Sequence, residues 1–175
     1  MESNIDNVKD SLLVLPRPKL LVFDLDYTIW PFWCDTHVSP PFQIDKKSNQ
    51  ILDKRKYKVK LYPESKDLII FLKANGFLIA AASRTETPEV AEKLLNLFEI
   101  NQYFDFKQIY PGCKIKHFQN IQKDSGVKFE DMVFFDDEQR NIEDITSLGV
   151  TCQYVENGVS FDEVDKCFKL FRKKN

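Results

Sequence analysis

Short apolar runs alternate along most of this chain with segments whose apolar residues recur every three or four positions. Runs of this length are typical of buried strands, and the three-to-four spacing is typical of helices with one buried face. We therefore predict strands at 19–24, 77–82, 103–110, 131–135 and 150–155. Helices are predicted after Pro63, Thr87-Pro88, Cys113, Asp137 and Ser160.

Capping residues support several of these boundaries. Proline directly after Thr87 suits the first turn of a helix, and Ser160 with Glu163 has the spacing of a capping box. Glycines at 76, 126 and 149 stand where helices are predicted to end. Strand–helix alternation favours a three-layer α/β fold, in which helices cover both faces of a parallel sheet.

Two segments fall outside this alternation within the single predicted domain, 1–175. Residues 1–17 are expected to form an N-terminal tail. Residues 27–60 begin with the aromatic cluster Trp30-Pro31-Phe32-Trp33 and become polar later. We predict that 27–60 is a small flap, a β-hairpin for example, which leans over a site at the sheet edge. The three aromatic side chains either belong to the core or shape substrate entry.

Composition narrows the possible partners. With 25 Lys and Arg against 27 Asp and Glu, the net charge of −2 gives no overall field that would attract nucleic acid. No apolar run approaches the roughly 20 residues of a membrane span, and the N-terminus does not resemble a signal peptide. Four scattered cysteines are expected to be reduced thiols. We expect a monomer of the cytoplasm or nucleus, with neither membrane nor nucleic acid as partner.

Acidic residues and a hydroxyl stand at the ends of three predicted strands. Asp24 and Asp26 end the first, Ser83 ends the second, and Asp136-Asp137 end the strand at 131–135. In a parallel sheet these ends lie along one edge, where ligands usually bind. The carboxylates would repel one another unless a cation were present, and their hard oxygen atoms favour magnesium or calcium. Magnesium is the usual partner of phosphate chemistry.

Donors for a phosphoryl group are also present. The Ser83 hydroxyl and adjacent backbone N–H groups could hold a phosphoryl oxygen, and Lys114 after a glycine turn could add a positive charge. Taken singly, each residue has an ordinary structural explanation, such as a strand-end hydroxyl or a solvated lysine. The ordered set is more specific than any one member.

This set, Asp24-x-Asp26-x-Thr28, Ser83, Lys114 and Asp136-Asp137, resembles the four motifs of the haloacid-dehalogenase (HAD) superfamily. Two longer strings resemble its eukaryotic magnesium-dependent phosphatase (MDP) group: 23–33, which begins Phe23-Asp24-Leu25-Asp26, and 134–141, which begins Phe134-Phe135-Asp136-Asp137. The resemblance extends from about Lys19 to about Val155 and implies a Rossmann-like core without a large cap domain.

The resemblance also implies a role for each motif residue. Asp24 would be the nucleophile, forming an aspartyl-phosphate, and Asp26 would act as general acid and then base. Mg²⁺ would be held by Asp24, the Asp26 carbonyl and Asp137. Asp136 would lie behind these ligands and orient Lys114. The phosphate would be bound by Leu25, Ser83, Arg84 and Lys114.

The expected reaction is therefore hydrolysis of phosphomonoesters. The 27–60 insertion is too short for a helical cap, so the site should be open to a phosphorylated protein side chain or to a modest sugar phosphate. The MDP resemblance implies the same pair, phosphotyrosine-like and sugar-phosphate substrates, without choosing between them. Two alternatives stay open. One is a nucleic-acid end phosphatase on the same scaffold, and the other is a receiver-like phospho-acceptor domain. Receivers carry their acceptor on a middle strand, whereas here Asp-x-Asp opens the sheet.

Overall fold

The computed structural model describes residues 2–174, with side chains described from residue 5 onward. In chain order its strands are β1 Leu20–Phe23, β2 Gln43–Asp45, β3 Gln50–Leu52, β4 Lys58–Val59, β5 Leu78–Ser83, β6 Phe106–Ile109, β7 Met132–Asp136 and β8 Thr151–Tyr154. Five of them form a parallel sheet in the order β6-β5-β1-β7-β8. The predicted parallel α/β architecture is confirmed.

The helices are α1 Glu2–Leu12, α2 Ser65–Ala74, α3 Pro88–Leu97, α4 Lys114–Ser125, α5 Gln139–Thr146 and α6 Phe161–Lys174. Short 3₁₀ turns lie at Asn101–Tyr103 and Phe129–Asp131. None of the helices among residues 2–174 combines the length and the apolar character that a membrane crossing requires.

Alternating side chains of β1 face two separate cores, as a strand buried on both faces must. Leu21 and Phe23 pack with the apolar residues of α2, α3 and α6. Leu20 and Val22 pack with those of α4 and α5 on the other side. The three predicted layers are therefore present, and the sheet itself is the middle layer.

The predicted caps mark real boundaries. Thr87 precedes α3 with Pro88 at its start, and Gly126 ends α4 in the left-handed region at φ +69°. Ser160 Oγ accepts the Glu163 N–H at 3.2 Å, which forms one half of the capping box before α6. Local sequence thus determines where these helices begin and end.

The position of β1 corrects one argument made from the sequence. Asp-x-Asp follows the first strand in chain order, but β1 is the central strand of the sheet in space. Strand position therefore does not separate this fold from receiver domains. The separation depends on the chemistry of the residues at the strand end.

The segment 1–17 is more than the expected tail, because it contains α1. Leu12 is fully buried, and Ser11 Oγ donates to Asp165 Oδ1 at 2.6 Å. Arg172 of α6 donates to the Ser11 carbonyl at 3.3 Å. α1 packs against α6, and Leu12 joins the core cluster that contains Phe168 and Phe171. Helix α1 has few apolar positions, and the sequence therefore did not predict this contact.

The insertion 27–60 also differs from the predicted flap. Trp30 and Phe32 are buried core residues, whereas Trp33 is 48% exposed. Residues 43–59 form a three-stranded antiparallel sheet, β2-β3-β4, instead of a simple hairpin. Only the stretch 33–36 of this insertion lines the pocket described below. Burial of the large aromatic rings fixes most of the insertion to the body of the protein.

We predict that Gly158→Ala destabilises the fold more than Gly76→Ala. Both glycines have left-handed φ, +78° and +80°, so each alanine should cost about 1–2 kcal/mol of backbone strain. At Gly158 a Cβ would also lie 2.2 Å from Tyr62 Cδ2, whereas nothing lies within 4 Å at Gly76. Overpacking should add about 1–3 kcal/mol, measured by urea denaturation. Equal losses in the two variants would contradict this contact.

Candidate active site

The carboxyl edge of the sheet holds one pocket that gathers most of the predicted site. Its volume is about 440 Å³. Asp24 is fixed there because its N–H donates to the Phe135 carbonyl at 2.9 Å, which continues the β1–β7 pairing. The predicted residues that line the pocket are Asp24, Asp26, Ser83, Arg84, Lys114 and Asp137.

Lys114 is buried between two carboxylates. As the first residue of α4 it is 1% exposed, with Nζ 2.5 Å from Asp24 Oδ1 and 3.1 Å from Asp136 Oδ2. Nζ also donates to the Ala82 carbonyl at the end of β5. Burial opposes the charge of Lys114, but the two carboxylates outweigh it and raise the pKa of this amine. Lys114 is therefore a fixed cation, with its ammonium donors directed at three neighbouring strands.

Three carboxylates form a candidate metal site. Oxygen atoms of Asp24, Asp136 and Asp137 all lie within 4.8 Å of one another. Burial raises the pKa of Asp24 well above its usual value, although Lys114 opposes the shift. Burial and then the charge of Asp136 raise the pKa of Asp137 to about 7. This crowded set of hard oxygen donors fits Mg²⁺, which would relieve the repulsion.

Asp136 and Asp137 differ in how their oxygens are used. Asp136 is fully buried and accepts from the Glu138 N–H at 2.7 Å, from the Asn141 side-chain amide at 3.1 Å on both oxygens, and from Lys114. Asp137 pairs with no lysine or arginine within residues 2–174. The arrangement favours Asp137 as the metal ligand and Asp136 as the residue that holds Lys114. Sequence reasoning gave Asn141 no role, although it lies in the 134–141 string.

Asp26 is held by hydrogen bonds and forms no ion pair with a lysine or arginine of the described residues. The Trp30 indole Nε1 donates to Oδ1 at 2.6 Å, and the Cys34 N–H donates to Oδ2 at 3.2 Å. Burial raises the pKa of Asp26, and these hydrogen bonds oppose the shift. A carboxyl with a raised pKa is suited to give and take a proton. Neither donor was identified from the sequence.

The remaining predicted phosphate ligands differ in which hydrogen-bond donors they can offer to a phosphate. Ser83 Oγ accepts the Thr85 N–H at 3.4 Å, which leaves its own O–H available as a donor. Arg84 Nη1 lies 3.3 Å from Asn141 Oδ1, and its buried Nε has no partner in the described part of the chain. Leu25 is fully buried in the core, so only its backbone could contribute.

Both histidines have structural positions. His117 is fully buried one turn beyond Lys114, with Nε2 3.0 Å from the Tyr110 carbonyl. Burial and the charge of Lys114 lower its pKa to about 4, so the neutral ring donates from Nε2. His37 stacks on Trp33 with ring centroids 5.1 Å apart and holds that ring at the pocket rim.

Comparison with known proteins shows the family to which this chain belongs. The family model described as "Acid Phosphatase" matches residues 16–174. The human protein named "Magnesium-dependent phosphatase 1" is 47% identical over 156 residues, which cover 89% of this chain and 88% of the relative. The chain belongs to the acid phosphatase family. The resemblance noted in the sequence is confirmed at this level.

A second curated relative carries a HAD-like name, and a solved structure shares the fold. A Schizosaccharomyces pombe protein named as a member of the HAD-like hydrolase superfamily is 39% identical over 144 residues, covering 77% of this chain and 83% of its own. The phosphatase-containing N-terminal part of a Bacteroides fragilis protein, solved as a complex with Mg, superposes with a TM-score of 0.57 at 20% identity. That alignment covers 96% of this chain and 42% of the bacterial one, and it shows the shared fold.

We predict that Mg²⁺ binds more weakly as the pH falls through 7. The pKa of Asp137 is about 7 without metal, and Mg²⁺ requires the carboxylate, so protons compete with the ion below this pH. Calorimetric titration should give an affinity about tenfold lower at about pH 6 than at about pH 8. Asp137→Asn should bind weakly at both pH values and show a smaller difference between them, since the raised pKa of Asp24 remains. Equal wild-type affinities would contradict the role of Asp137.

Proposed function

We propose that this protein is a magnesium-dependent phosphatase that hydrolyses phosphomonoesters through an aspartyl-phosphate on Asp24. The observation that supports this most directly is the pairing of two carboxyl groups in one pocket. Asp24 lies beside a buried lysine and the acidic cluster, whereas Asp26 is held only by hydrogen-bond donors. One group is suited to attack phosphorus and the other to move protons.

In the first half of the proposed reaction, an Asp24 oxygen attacks phosphorus. The bond from phosphorus to the ester oxygen breaks with its electron pair, and the leaving oxygen takes a proton from Asp26. Lys114, Ser83 and Arg84 would hold the phosphoryl oxygens during transfer. Mg²⁺ bound by Asp24, Asp137 and the Asp26 carbonyl would supply positive charge against the transferred group.

In the second half, water replaces the alcohol. Asp26 takes a proton from this water as it attacks phosphorus, and the electron pair of the bond between phosphorus and Asp24 returns to the carboxylate. Inorganic phosphate leaves, and both aspartates regain their starting states. Asp26 thus serves first as acid and then as base, in keeping with its position in the same pocket as Asp24.

We also propose that the substrates are phosphorylated protein side chains, phosphotyrosine in particular, or modest sugar phosphates. No helical cap closes the pocket within the described chain, and the exposed Trp33 at its rim offers a flat apolar surface. Aromatic rings and sugar faces both pack on such a surface. The rim carries charges of both signs, on Arg84, Arg140, Asp35 and Glu86, so it lacks the uniformly basic lining that a nucleic-acid end would favour.

We expect Asp24→Asn to lower hydrolysis of an aryl phosphate by at least about 10³-fold, because the amide is a poor nucleophile. Wild-type turnover should also stop when EDTA removes Mg²⁺ and return when the ion is added. Asp67→Asn, which changes an exposed carboxyl on α2, is the matched control and should keep normal activity. Metal-independent turnover, or normal activity of Asp24→Asn, would refute the mechanism. A persistent, stoichiometric phosphoprotein without turnover would favour the receiver-like alternative.

The substrate class is tested by kcat/KM for phosphotyrosine peptides, sugar phosphates and oligonucleotides with a terminal phosphate. We expect one of the first two classes to exceed the oligonucleotides by about tenfold or more, since each 1.4 kcal/mol of selective binding gives this factor. Preference for the oligonucleotides would favour the nucleic-acid alternative.

A further inference from the structure

Trp30 makes an unusual contact for a core residue. It is fully buried, and its indole N–H donates to Asp26 Oδ1 at 2.6 Å, on a side chain that lines the pocket. A buried indole N–H requires an acceptor. Here the acceptor is the group that the proposed mechanism uses to move protons. This hydrogen bond therefore links a buried core residue directly to the proposed proton-transfer group.

A tight turn after β1 creates the contact. The Leu25 carbonyl accepts the N–H groups of Thr28, Ile29 and Trp30 at 3.2, 2.8 and 3.3 Å. Tyr27 within this turn has a left-handed φ of +52°. The chain thus returns on itself, and Trp30 forms an isolated parallel bridge with Asp26. The turn places the indole where it can reach the carboxyl four residues earlier.

The Trp30 ring has little freedom to move away. It stacks on Phe32 with centroids 5.7 Å apart and planes 10° apart, and it lies 6.3 Å from the ring of Phe98. A buried ring packed against two neighbouring rings keeps one rotamer. The position of the indole donor is therefore fixed before any substrate binds.

The second donor to Asp26 is anchored as well. The Cys34 N–H donates to Oδ2 at 3.2 Å, and Cys34 Sγ lies 3.1 Å from Thr85 Oγ1, two residues after β5. Cys34 is 1% exposed and Thr85 is 5% exposed. Each oxygen of Asp26 therefore has one donor fixed in the protein, and these two points determine the plane of the carboxyl group.

We propose that Trp30 is a positioning residue for proton transfer: with the Cys34 N–H it locks the Asp26 carboxyl in the orientation that delivers its proton to the leaving oxygen. This inference rests on the proposed function. Trp30 neither gains nor loses a proton in the step. The Asp26 proton moves to the ester oxygen as the bond from that oxygen to phosphorus breaks, and Asp26 is left as the carboxylate.

The inference makes the effect of Trp30 depend on the substrate. An alkoxide is a poor leaving group and needs the proton, whereas a nitro-substituted phenolate leaves readily without it. Loss of the indole N–H frees one oxygen of Asp26, so the carboxyl can rotate and proton delivery becomes less efficient. Only esters that need protonation should then react much more slowly.

The test compares Trp30→Phe with wild type on a nitro-substituted phenyl phosphate and on a primary alkyl phosphate. We compare kcat/KM, because it reports transfer to Asp24 and not the later hydrolysis step that both esters share. We expect kcat/KM for the alkyl ester to fall about 10–100-fold, within the range of general acid–base effects, and kcat/KM for the nitrophenyl ester to fall less than about threefold. Phe168→Leu is the matched control, because it removes a fully buried ring of the same core that packs on Phe77 instead of Trp30. This control should leave the ratio of the two rates unchanged.

A double-mutant cycle with Asp26→Asn tests whether Trp30 acts through Asp26. Trp30→Phe should cause no further selective loss once the carboxyl is gone. Benzothienylalanine at position 30 keeps the ring shape and lacks only the N–H, so it gives the same test if Trp30→Phe folds poorly. Equal loss on both esters, or an undiminished effect in the Asp26→Asn background, would overturn the inference. If Asp26→Asn lowers kcat/KM of both esters equally, the acid role of Asp26 in the proposed function fails as well.

Discussion

The buried ammonium group of Lys114, between Asp24 and Asp136, is the interaction on which the carboxyl edge of the sheet depends. Each of these ions would cost several kcal/mol to bury alone, and breaking such a group leaves an uncompensated charge worth about 3–5 kcal/mol. The three residues come from α4, β1 and β7, and the Ala82 carbonyl of β5 accepts the same ammonium. The start of α4 and three strand ends are therefore held in one arrangement.

The charge balance of this group explains the rest of the pocket. One buried lysine serves two buried carboxylates, and Asp137 is added beside them without a cation of its own among residues 2–174. Burial is the main cause of the raised pKa values of Asp24 and Asp137, and the negative charge of Asp136 adds to both. A divalent cation and a phosphate ester would enter such a site together more easily than either alone, because their charges offset each other.

The pocket also separates two carboxyl groups that are two residues apart in sequence. Residues two apart would share one face of a continuing strand, but β1 ends at Phe23 and the chain turns at Leu25, so each carboxyl meets different neighbours. Asp24 lies beside an ammonium ion, whereas Asp26 lies beside an indole N–H and a backbone N–H. The insertion 27–60 thus helps to position the residues of the site. Its buried rings carry the donor to Asp26, and its exposed Trp33 forms part of the rim.

The sequence by itself determined the layered architecture, most element boundaries and the set of residues at the sheet edge. Strand and helix periods, capping residues and the rule that parallel strands end on one edge are local or topological, so one sequence suffices to apply them. Only the tertiary structure revealed α1 against α6, the sheet β2-β3-β4, the role of Asn141 and the donors to Asp26. The turn that brings Trp30 to Asp26 depends on a left-handed tyrosine, which no turn signal in the sequence marks. The contact between α1 and α6 joins chain segments far apart in sequence that only the packing of the whole fold brings together, and therefore pattern and spacing could not predict it.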